Sequence, residues 1–312
     1  MKRKLIVIAG PTAVGKTSLS VKLAKRIGGE IISADSMQIY KEMDIGSAKI
    51  KENEKEGIEH YLIDLLDPSE EFNVYKFKEL AKSALEKIYA KGKIPIIAGG
   101  TGFYIQALLY DIDFEEEDNS KIRNLLEKEA AEGHNEEMFE RLLLDDPEYA
   151  ATIHKNNTKK IIRALEYITL NGRKFSEHIK EEKQKESPYD FKYFVLNDRR
   201  ERLFDNIEKR VDNMLEEGLV DEVRHLHDKG YNRNMVSMQG LGYKEMLDYL
   251  NQNISYDEAV LKIKTLTRHF AKRQLTWFKR EKDTVWINKY DFDYDDEQIL
   301  DYMIGVINGD KQ

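Results

Sequence analysis

The most specific chemical motif in the sequence is formed by the eight residues from Gly10 to Thr17, which read Gly-Pro-Thr-Ala-Val-Gly-Lys-Thr. Two glycines let backbone N–H groups turn inward around phosphate oxygens, the lysine adds a mobile positive charge, and the threonine hydroxyl can coordinate Mg²⁺. A tight turn without a ligand is disfavoured, because the motif also stands between a predicted strand and a predicted helix. The run therefore predicts a P-loop, with Mg²⁺ on Thr17 and a phosphate-bearing substrate on Gly10, Thr12, Ala13, Val14, Gly15, Lys16 and Thr17.

Two more polar residues lie at the carboxyl ends of predicted strands. Asp35 comes after Ile31–Ala34 and could be a Mg²⁺ ligand, a general base beside the phosphate, or the residue that forms a turn before Ser36. Thr101 stands in Gly99-Gly100-Thr101-Gly102, where its hydroxyl could bind a phosphate or leaving-group oxygen, or cap a helix. The local sequence leaves the roles of Asp35 open and modestly favours a functional Thr101.

Positive charges recur along two predicted helices near the carboxyl end of the chain. On the helix Glu201–Glu217, Arg210 does not stand out by pattern, because an arginine on such a helix is usually a surface residue. The second helix carries a basic run that is either a phosphate-contacting face or a solvated one. Its members are Lys262, Lys264, Arg268, Lys272, Arg273, Lys279, Arg280 and Lys282.

The composition excludes several classes of function. With 312 residues and no cysteine, the chain has neither disulfides nor a thiolate metal site, and its seven histidines form no HExxH pair. A net charge of −8 argues against nonspecific coating of nucleic acid. The short apolar run after the amino terminus is a strand rather than a signal peptide, and the sequence holds no membrane span. We expect a soluble, cytoplasmic protein.

The elements that must position these residues alternate between strand and helix. Apolar runs predict strands at Leu5–Ala9, Glu30–Ala34 and Ile94–Ala98, and 3.6-residue periodicity predicts helices at Thr17–Ile27 and Lys76–Lys91. This order is typical of an α/β fold of the P-loop NTPase type, with a mostly parallel sheet flanked by helices and ligands beyond the carboxyl ends of its strands.

An insertion interrupts this alternation. From about residue 115 the sequence is charged and helical through 121–141, 159–171 and on to Glu186, and a strand signal returns only at Tyr193–Leu196. Later segments are predicted as helices at Glu201–Glu217, Val220–Lys229 and Tyr256–Lys282, with a strand at Thr284–Ile287. The sequence therefore predicts a catalytic core of residues 1–114 and 196–312 and an inserted all-helical domain of residues 115–195.

Beyond the P-loop, further motifs follow one another along the whole chain. With the P-loop they are Gly10–Thr17, Asp35–Tyr40, Met43–Gly46, Ala48-Lys49, Tyr61–Asp64, Asp67-Pro68, Gly99–Tyr104, Arg163–Glu166, Arg210 with Met214-Leu215, Gly218-Leu219, Gly242–Glu245 and Ala271–Trp277. In these motifs and their order the chain resembles the tRNA dimethylallyltransferases, the bacterial MiaA family, from end to end. Ser47, Ile50 and Tyr61 depart from the common family pattern without removing a proposed catalytic group, and Asn156–Lys160 in the insertion also differs from the common form.

The resemblance implies a reaction and its catalytic groups. The family transfers a dimethylallyl group from dimethylallyl diphosphate to N6 of the adenosine that follows the anticodon, position 37, in tRNAs reading codons that begin with U. Carried onto this chain, the pattern makes Asp35 the base for the exocyclic amine. Lys16, Thr101 and Arg210 would neutralise the departing diphosphate, and Thr17 would help to hold Mg²⁺.

The resemblance also implies an RNA interface. The inserted domain would embrace the anticodon stem-loop, and we expect a monomer. Rival interpretations are a prenyltransferase of free adenine nucleotides, a P-loop kinase and a nonenzymatic RNA-binding P-loop protein. The implied RNA contacts are Asp35, Ser36, Met37, Gln38, Thr101, Arg123, Lys159, Lys160, Ile161, Ile162, Arg163, Gln239, Gly242, Tyr243, Lys244 and Arg273.

Overall fold

The computed structural model describes residues 2–112 and 120–309, and it divides the chain into two compact units. Unit 1 comprises Met1–Leu109 and Pro188–Gln312, and unit 2 comprises Tyr110–Ser187. The predicted boundary between residues 114 and 115 lies outside the described residues. The predicted boundary after residue 195 falls inside a strand that pairs with the sheet of unit 1 along its whole length, so residues 188–195 belong to the core.

Six strands form one sheet in the order β3-β2-β4-β1-β5-β6, and every neighbouring pair is parallel. The expected α/β fold with a parallel sheet is confirmed. The two-residue strand β3 was not predicted, because it is too short to carry a periodic pattern. The strands are β1 Arg3–Ala9, β2 Gly29–Ala34, β3 His60–Tyr61, β4 Ile94–Gly99, β5 Tyr189–Asn197 and β6 Thr284–Asn288.

Helices account for most of the remaining described chain. They are α1 Lys16–Ile27, α2 Val74–Ala90, α3 Gly102–Leu109, α4 Ser120–Ala131, α5 Asn135–Asp145, α6 Pro147–Ala150, α7 Thr158–Asn171, α8 Phe175–Gln184, α9 Arg200–Glu216, α10 Leu219–Asp228, α11 Tyr243–Leu250, α12 Tyr256–Phe278 and α13 Asp296–Asn308. The helical stretch expected over 121–141 is divided because Gly133 takes a left-handed φ of +95°. No helix in the described ranges is long and apolar enough to span a bilayer.

The core of unit 1 lies between the sheet and its flanking helices. Strand β1 is central, and its residues from Leu5 to Ala9 are buried. Leu19 and Leu23 of α1 pack with Ile8 in the same apolar cluster. Burial on both faces explains why the strands read as continuous apolar runs instead of alternating patterns.

Unit 2 has a separate, smaller core. Leu126 of α4, Met138 and Leu142 of α5, and Leu165 of α7 are among its buried members. A fully buried carboxylate also stabilises this unit. Asp146 accepts hydrogen bonds from the backbone N–H of Tyr149 and, at 2.7 Å, of Ser176, which satisfies donors at the first turns of α6 and α8.

Candidate active site

The P-loop leaves the carboxyl end of β1 and leads into α1. Gly10 has a φ of +146°, and a Cβ there would lie 2.5 Å from the carbonyl oxygen of Leu196, so the tight departure from the strand requires glycine. Lys16 is the first residue of α1, and its Nζ donates a hydrogen bond to the carbonyl oxygen of Pro11 at 2.7 Å. The loop therefore presents the amino terminus of a helix and a lysine at one place, an arrangement that binds anions.

A cavity beside this loop, here called the P-loop cavity, brings together residues far apart in sequence. It includes the predicted catalytic residues Lys16, Asp35 and Arg210. Arg210 reaches it from α9, although the helix pattern gave no sign that it would. The full lining is Thr12, Lys16, Thr17, Ser20, Ile31, Ser33, Asp35, Gln38, Ala48, Ile50, His60, Ile63, Ala98, Gly99, Gly100, Arg210, Phe270 and Gln274.

The two cations of the P-loop cavity are held in an environment that disfavours their charge. Burial, together with a smaller contribution from the nearby Arg210, lowers the pKa of Lys16 to about 7, while Asp35 opposes the shift. Burial also lowers the pKa of Arg210, again with Asp35 opposing. Positive groups that are desolvated in this way gain most from a multiply charged anion placed between them.

Asp35 follows β2, and one of its carboxylate oxygens forms a turn. Oδ1 accepts the backbone N–H of Met37 at 2.8 Å, while the residue also lines the P-loop cavity. The turn-forming interpretation and the general-base interpretation are therefore compatible, because one oxygen can fix the turn while the carboxylate faces the site.

Thr101 begins the turn into α3 at the carboxyl end of β4. Its backbone N–H donates to the carbonyl oxygen of Ala34 at 3.2 Å, and its own carbonyl accepts from Tyr104 and Ile105. The loop after β4 is thus tied to the end of β2. The wall of the P-loop cavity contains Gly99 and Gly100, directly before Thr101.

A magnesium ion fits the residues that the P-loop cavity offers. In the described part of the chain, no group of three or more carboxylate, histidine or cysteine side chains is arranged so that it could hold a metal ion by itself. Mg²⁺ does not need one, because it usually takes one or two protein oxygens and completes its octahedron with substrate phosphates and water. Thr17, in the first turn of α1, and Asp35 both line the cavity with oxygen atoms.

Sequence reasoning missed the apolar part of this cavity. Ile31, Ile50, Ile63 and Phe270 line it from four separate elements or loops, so no local pattern joins them. His60 lines it too, and its Nδ1 lies 2.8 Å from the carbonyl oxygen of Ile58. Burial lowers the pKa of His60, which favours the neutral ring. The cavity thus combines a cationic end with an apolar wall.

The predicted RNA contacts of unit 1 divide into exposed and buried residues. Gln239 and Arg273 are exposed, and Lys244 is half-buried. Gln38 is half-buried and held from both ends of its amide, since Oε1 accepts from Ser33 and Nε2 donates to the carbonyl oxygen of Ala48. Ser36 and Met37 are also half-buried.

Tyr243 and its neighbour Gly242 are buried, so the tyrosine ring does not present a surface for RNA. Its hydroxyl donates to Oε1 of Glu222 at 2.7 Å. The carboxylate of Glu222 also accepts the backbone N–H groups of Asp44, Ile45 and Gly46, and sequence reasoning had not singled it out. This cluster holds the loop that follows Asp35–Gln38 and gives Tyr243 a supporting role.

In unit 2 the predicted RNA contacts also separate by exposure. Lys159 and Lys160 are exposed in the first turn of α7, and Arg163 is exposed one turn later. Arg123 of α4 is exposed and forms an ion pair with Glu166 at 3.0 Å. The remaining two predicted contacts, Ile161 and Ile162, are core residues of the unit, and their side chains position α7.

The basic run on α12 is only partly available to a ligand. Lys264 pairs with Asp212 at 2.6 Å, and Arg268 pairs with Glu208 at 2.6 Å, so both are engaged by acids of α9. Lys272 and Arg273 are exposed. Lys262 near the start of α12 is exposed as well, and so are three members of the run that follow the helix, Lys279, Arg280 and Lys282. The structure therefore removes only Lys264 and Arg268 from the set of readily available cations.

Comparison with known sequences gives one consistent result. Residues 38–281 match the family model for IPP transferase. A tRNA dimethylallyltransferase of Lachnoclostridium phytofermentans is 55% identical over 304 residues, which cover 97% of each chain. A second one, from Acetivibrio thermocellus, is 50% identical over 296 residues and 95% of each chain.

Solved structures agree with the sequences. A tRNA isopentenylpyrophosphate transferase from Bacillus halodurans superposes with a TM-score of 0.73 at 42% identity, covering 99% of this chain and 98% of that one. A eukaryotic dimethylallyltransferase acting on tRNA superposes with a TM-score of 0.81 at 33% identity, over 92% of this chain and 74% of its own.

Proposed function

The chain belongs to the IPP transferase family, and we propose that it is a tRNA dimethylallyltransferase that prenylates the adenosine following the anticodon. The donor would be dimethylallyl diphosphate, and the acceptor N6 of adenosine 37 in tRNAs that read codons beginning with U. The observation that carries the proposal is the P-loop cavity, where Lys16, Arg210 and Asp35 meet beside an apolar wall. A P-loop recognises phosphate oxygens and not the group attached to them, so a prenyl diphosphate suits it as well as a nucleotide does.

The two cations would act on the leaving group. When the bond between the prenyl C1 and the diphosphate oxygen breaks, negative charge develops on that oxygen. Lys16 and Arg210, already placed and desolvated, would stabilise this charge together with the Thr101 hydroxyl and the N–H groups of the P-loop. Loss of one such donor typically costs ~10²–10³-fold in rate.

Asp35 would act on the acceptor. As C1 bonds to N6 of the adenine, the amine becomes positive and gives one of its protons to the carboxylate. The turn to Met37 keeps the carboxylate at the carboxyl end of β2, next to the P-loop. A positioned general base contributes ~10²–10⁴-fold.

Magnesium would be held by Thr17 and by oxygens of the diphosphate, with Asp35 within the same cavity. When bound, the ion would neutralise charge on the leaving diphosphate. The chain's own part is to place the Thr17 hydroxyl in the first turn of α1, next to Lys16.

The acceptor base must leave its stack to reach Asp35, which costs a few kcal/mol and needs a firm hold on the surrounding RNA. We expect Lys159, Lys160 and Arg163 of unit 2 and Gln239, Lys244 and Arg273 of unit 1 to contribute to it, because these polar side chains are at least partly exposed. A monomer in the cytoplasm, where tRNA is found, is the expected working form.

The direct test supplies radiolabelled dimethylallyl diphosphate and Mg²⁺ to the protein with an anticodon stem-loop that has adenosine after the anticodon. AMP as acceptor and ATP as phosphoryl donor serve as controls. Label in the RNA alone, lost when that adenosine is replaced by guanosine, is the expected result.

Other outcomes would point elsewhere. Label in AMP would favour a prenyltransferase of free nucleotides. Phosphate transfer from ATP without prenylation would mean that the P-loop cavity serves a kinase.

A further inference from the structure

The side chain of Gln274 turns from α12 into the wall of the P-loop cavity and is only 6% exposed. Its Oε1 accepts the backbone N–H of Thr12 at 2.9 Å, and its Nε2 donates to the carbonyl oxygen of Gly100 at 3.0 Å. A single amide group therefore joins the P-loop, which follows β1, to the glycine loop that follows β4.

This bridge needs an acceptor and a donor on one planar group, which a glutamine provides. An ionised glutamate could accept from Thr12 but would turn an oxygen toward the carbonyl of Gly100. A methionine would fill a similar space and form neither bond. Since the amide is buried, its loss would leave a backbone donor and a backbone acceptor without their partner.

Gly100 and Gln274 also fit each other by shape. A Cβ on Gly100 would lie 2.2 Å from Nε2 of Gln274, and its next neighbours are 3.4 Å or farther away. The adjacent Gly99 differs, because a Cβ there would lie 2.3 Å from the backbone carbonyl oxygen of Ala34. Only the first of these two clashes is with a side chain that can be shortened.

Resting on the proposed function, we propose that Gln274 is a positioning residue for prenyl transfer, which fixes the spacing of the P-loop and the Gly99–Thr101 loop. Lys16 and Thr101 must act on one diphosphate from these two loops. Errors of about 1 Å in such an arrangement can cost ~10²-fold in rate. The bridge also occupies the N–H of Thr12, so the phosphate-binding N–H groups begin after this residue.

The first test measures binding of inorganic pyrophosphate with Mg²⁺ by isothermal titration calorimetry, which does not require prenyl transfer. Gln274→Ala and Gln274→Met should weaken binding ~10–100-fold, as expected when buried partners lose their hydrogen bonds. Affinity for the anticodon stem-loop should stay within about twofold, since a general folding defect would lower both.

Gln274→Glu gives a readout that a mere packing role would not produce. Protonation of the new carboxyl restores a donor for Gly100, so prenyl transfer relative to the native protein should rise as the pH falls toward ~5. If the rate of Gln274→Glu relative to the native protein did not change with pH, the hydrogen-bonding role of Gln274 would be overturned.

The second test is a double-mutant cycle with a built-in control. Gly100→Ala alone should weaken pyrophosphate binding ~100-fold or more, whereas Gly100→Ala with Gln274→Ala should match Gln274→Ala alone within about threefold. Gly99→Ala should not be rescued by Gln274→Ala, because its clash is with backbone. If the losses of pyrophosphate affinity in the two single variants added up in the double variant, the proposed fit between Gly100 and Gln274 would be overturned.

The pyrophosphate titration separates this inference from the proposed function. Equal affinity in the native protein and in Gln274→Met would overturn the inference and leave the prenyltransferase intact. No binding of pyrophosphate to the native protein would overturn the diphosphate site itself, and the inference with it.

Discussion

The P-loop cavity and the surface of unit 2 hold their positive charges in opposite ways. Lys16 and Arg210 are desolvated, and burial lowers the pKa of each. Lys159 and Lys160 are exposed to solvent. Desolvated cations have a strong preference for one anion in one position, whereas exposed cations attract any phosphate and are screened by salt.

This difference assigns separate tasks to the two regions. A rate enhancement needs groups fixed before charge develops, as in the P-loop cavity. Holding an RNA stem needs several weak phosphate contacts that tolerate motion. We therefore expect substitutions in the cavity to lower kcat or donor binding, and substitutions on unit 2 to raise the KM for tRNA.

The largest expected effect is that of Asp35→Asn. The amide oxygen can still accept the N–H of Met37, so the turn should survive while the base is lost. We expect prenyl transfer to fall ~10²–10⁴-fold. Single-turnover rates with saturating stem-loop RNA measure this effect, and Asp205→Asn, an exposed carboxylate on α9, is the control. A loss below about tenfold would assign the base to another group.

Lys16→Ala should follow, with a loss of ~10²–10³-fold in kcat because the departing diphosphate loses a preplaced charge. Affinity for the stem-loop should stay nearly unchanged, and a filter-binding assay checks this. Lys25→Ala is a matched control on the same helix, since Lys25 is exposed and paired with Glu56. If the variant lost RNA binding but kept its turnover, Lys16 would serve to bind RNA, like the exposed lysines, and not to stabilise the diphosphate.

The lowered pKa of Lys16 predicts a pH dependence of pyrophosphate binding. Below about pH 7 the free protein already carries the charged lysine, whereas above it the ligand must draw in a proton. Affinity should therefore fall as the pH rises above about 7, by at most about tenfold per pH unit until the raised pKa of the bound state is passed.

Calorimetry at about pH 8 in buffers of different ionisation enthalpy should show proton uptake on binding. Proton uptake by pyrophosphate itself is the same in both proteins. The total uptake should therefore be smaller in Lys16→Ala, which lacks the lysine. Equal uptake in the two proteins would show that Lys16 is charged before the ligand arrives.

On unit 2, Lys159→Ala with Lys160→Ala should raise the KM for the stem-loop roughly tenfold and leave kcat unchanged. Each lost phosphate contact should reduce the slope of log affinity against log salt by ~0.7–0.9. Lys180→Ala, which removes an exposed lysine paired with Glu148, is the control. A fall in kcat at saturating RNA would mean that this surface takes part in the chemistry.

The smallest expected contrast lies along α12. Arg273→Ala should weaken RNA binding a few-fold, because Arg273 is exposed, whereas Arg268→Ala should change it less than about twofold, because Arg268 is paired with Glu208. Loss of this partly exposed ion pair should cost about 1 kcal/mol of stability or less. If the two substitutions weakened RNA binding equally, the ion pair between Arg268 and Glu208 would have to open so that Arg268 binds phosphate.

Local patterns were sufficient for most elements of unit 1. The apolar runs at Leu5–Ala9 and Ile94–Ala98 lie in strands, and the P-loop stands between β1 and α1, as predicted. Short or weakly patterned elements were missed, namely β3 and the helices α3, α11 and α13. The predicted end of the insertion, after residue 195, was wrong for another reason. The pairing of β5 with β1 decides where the sheet resumes, and the composition of the sequence does not record that pairing.

The sequence by itself determined the P-loop, the parallel α/β order and, through its long motifs, the family. These follow from residues that are neighbours in the chain, where glycine conformation and helical periodicity act locally. The motifs also implied that Arg210 acts on the diphosphate, although its helix pattern gave no sign of it. Only the tertiary structure decided that Gln274 of α12 reaches the P-loop cavity, and that Tyr243, Ile161 and Ile162 are buried. Burial and convergence depend on how elements distant in sequence pack together, and no pattern of neighbouring residues records that packing.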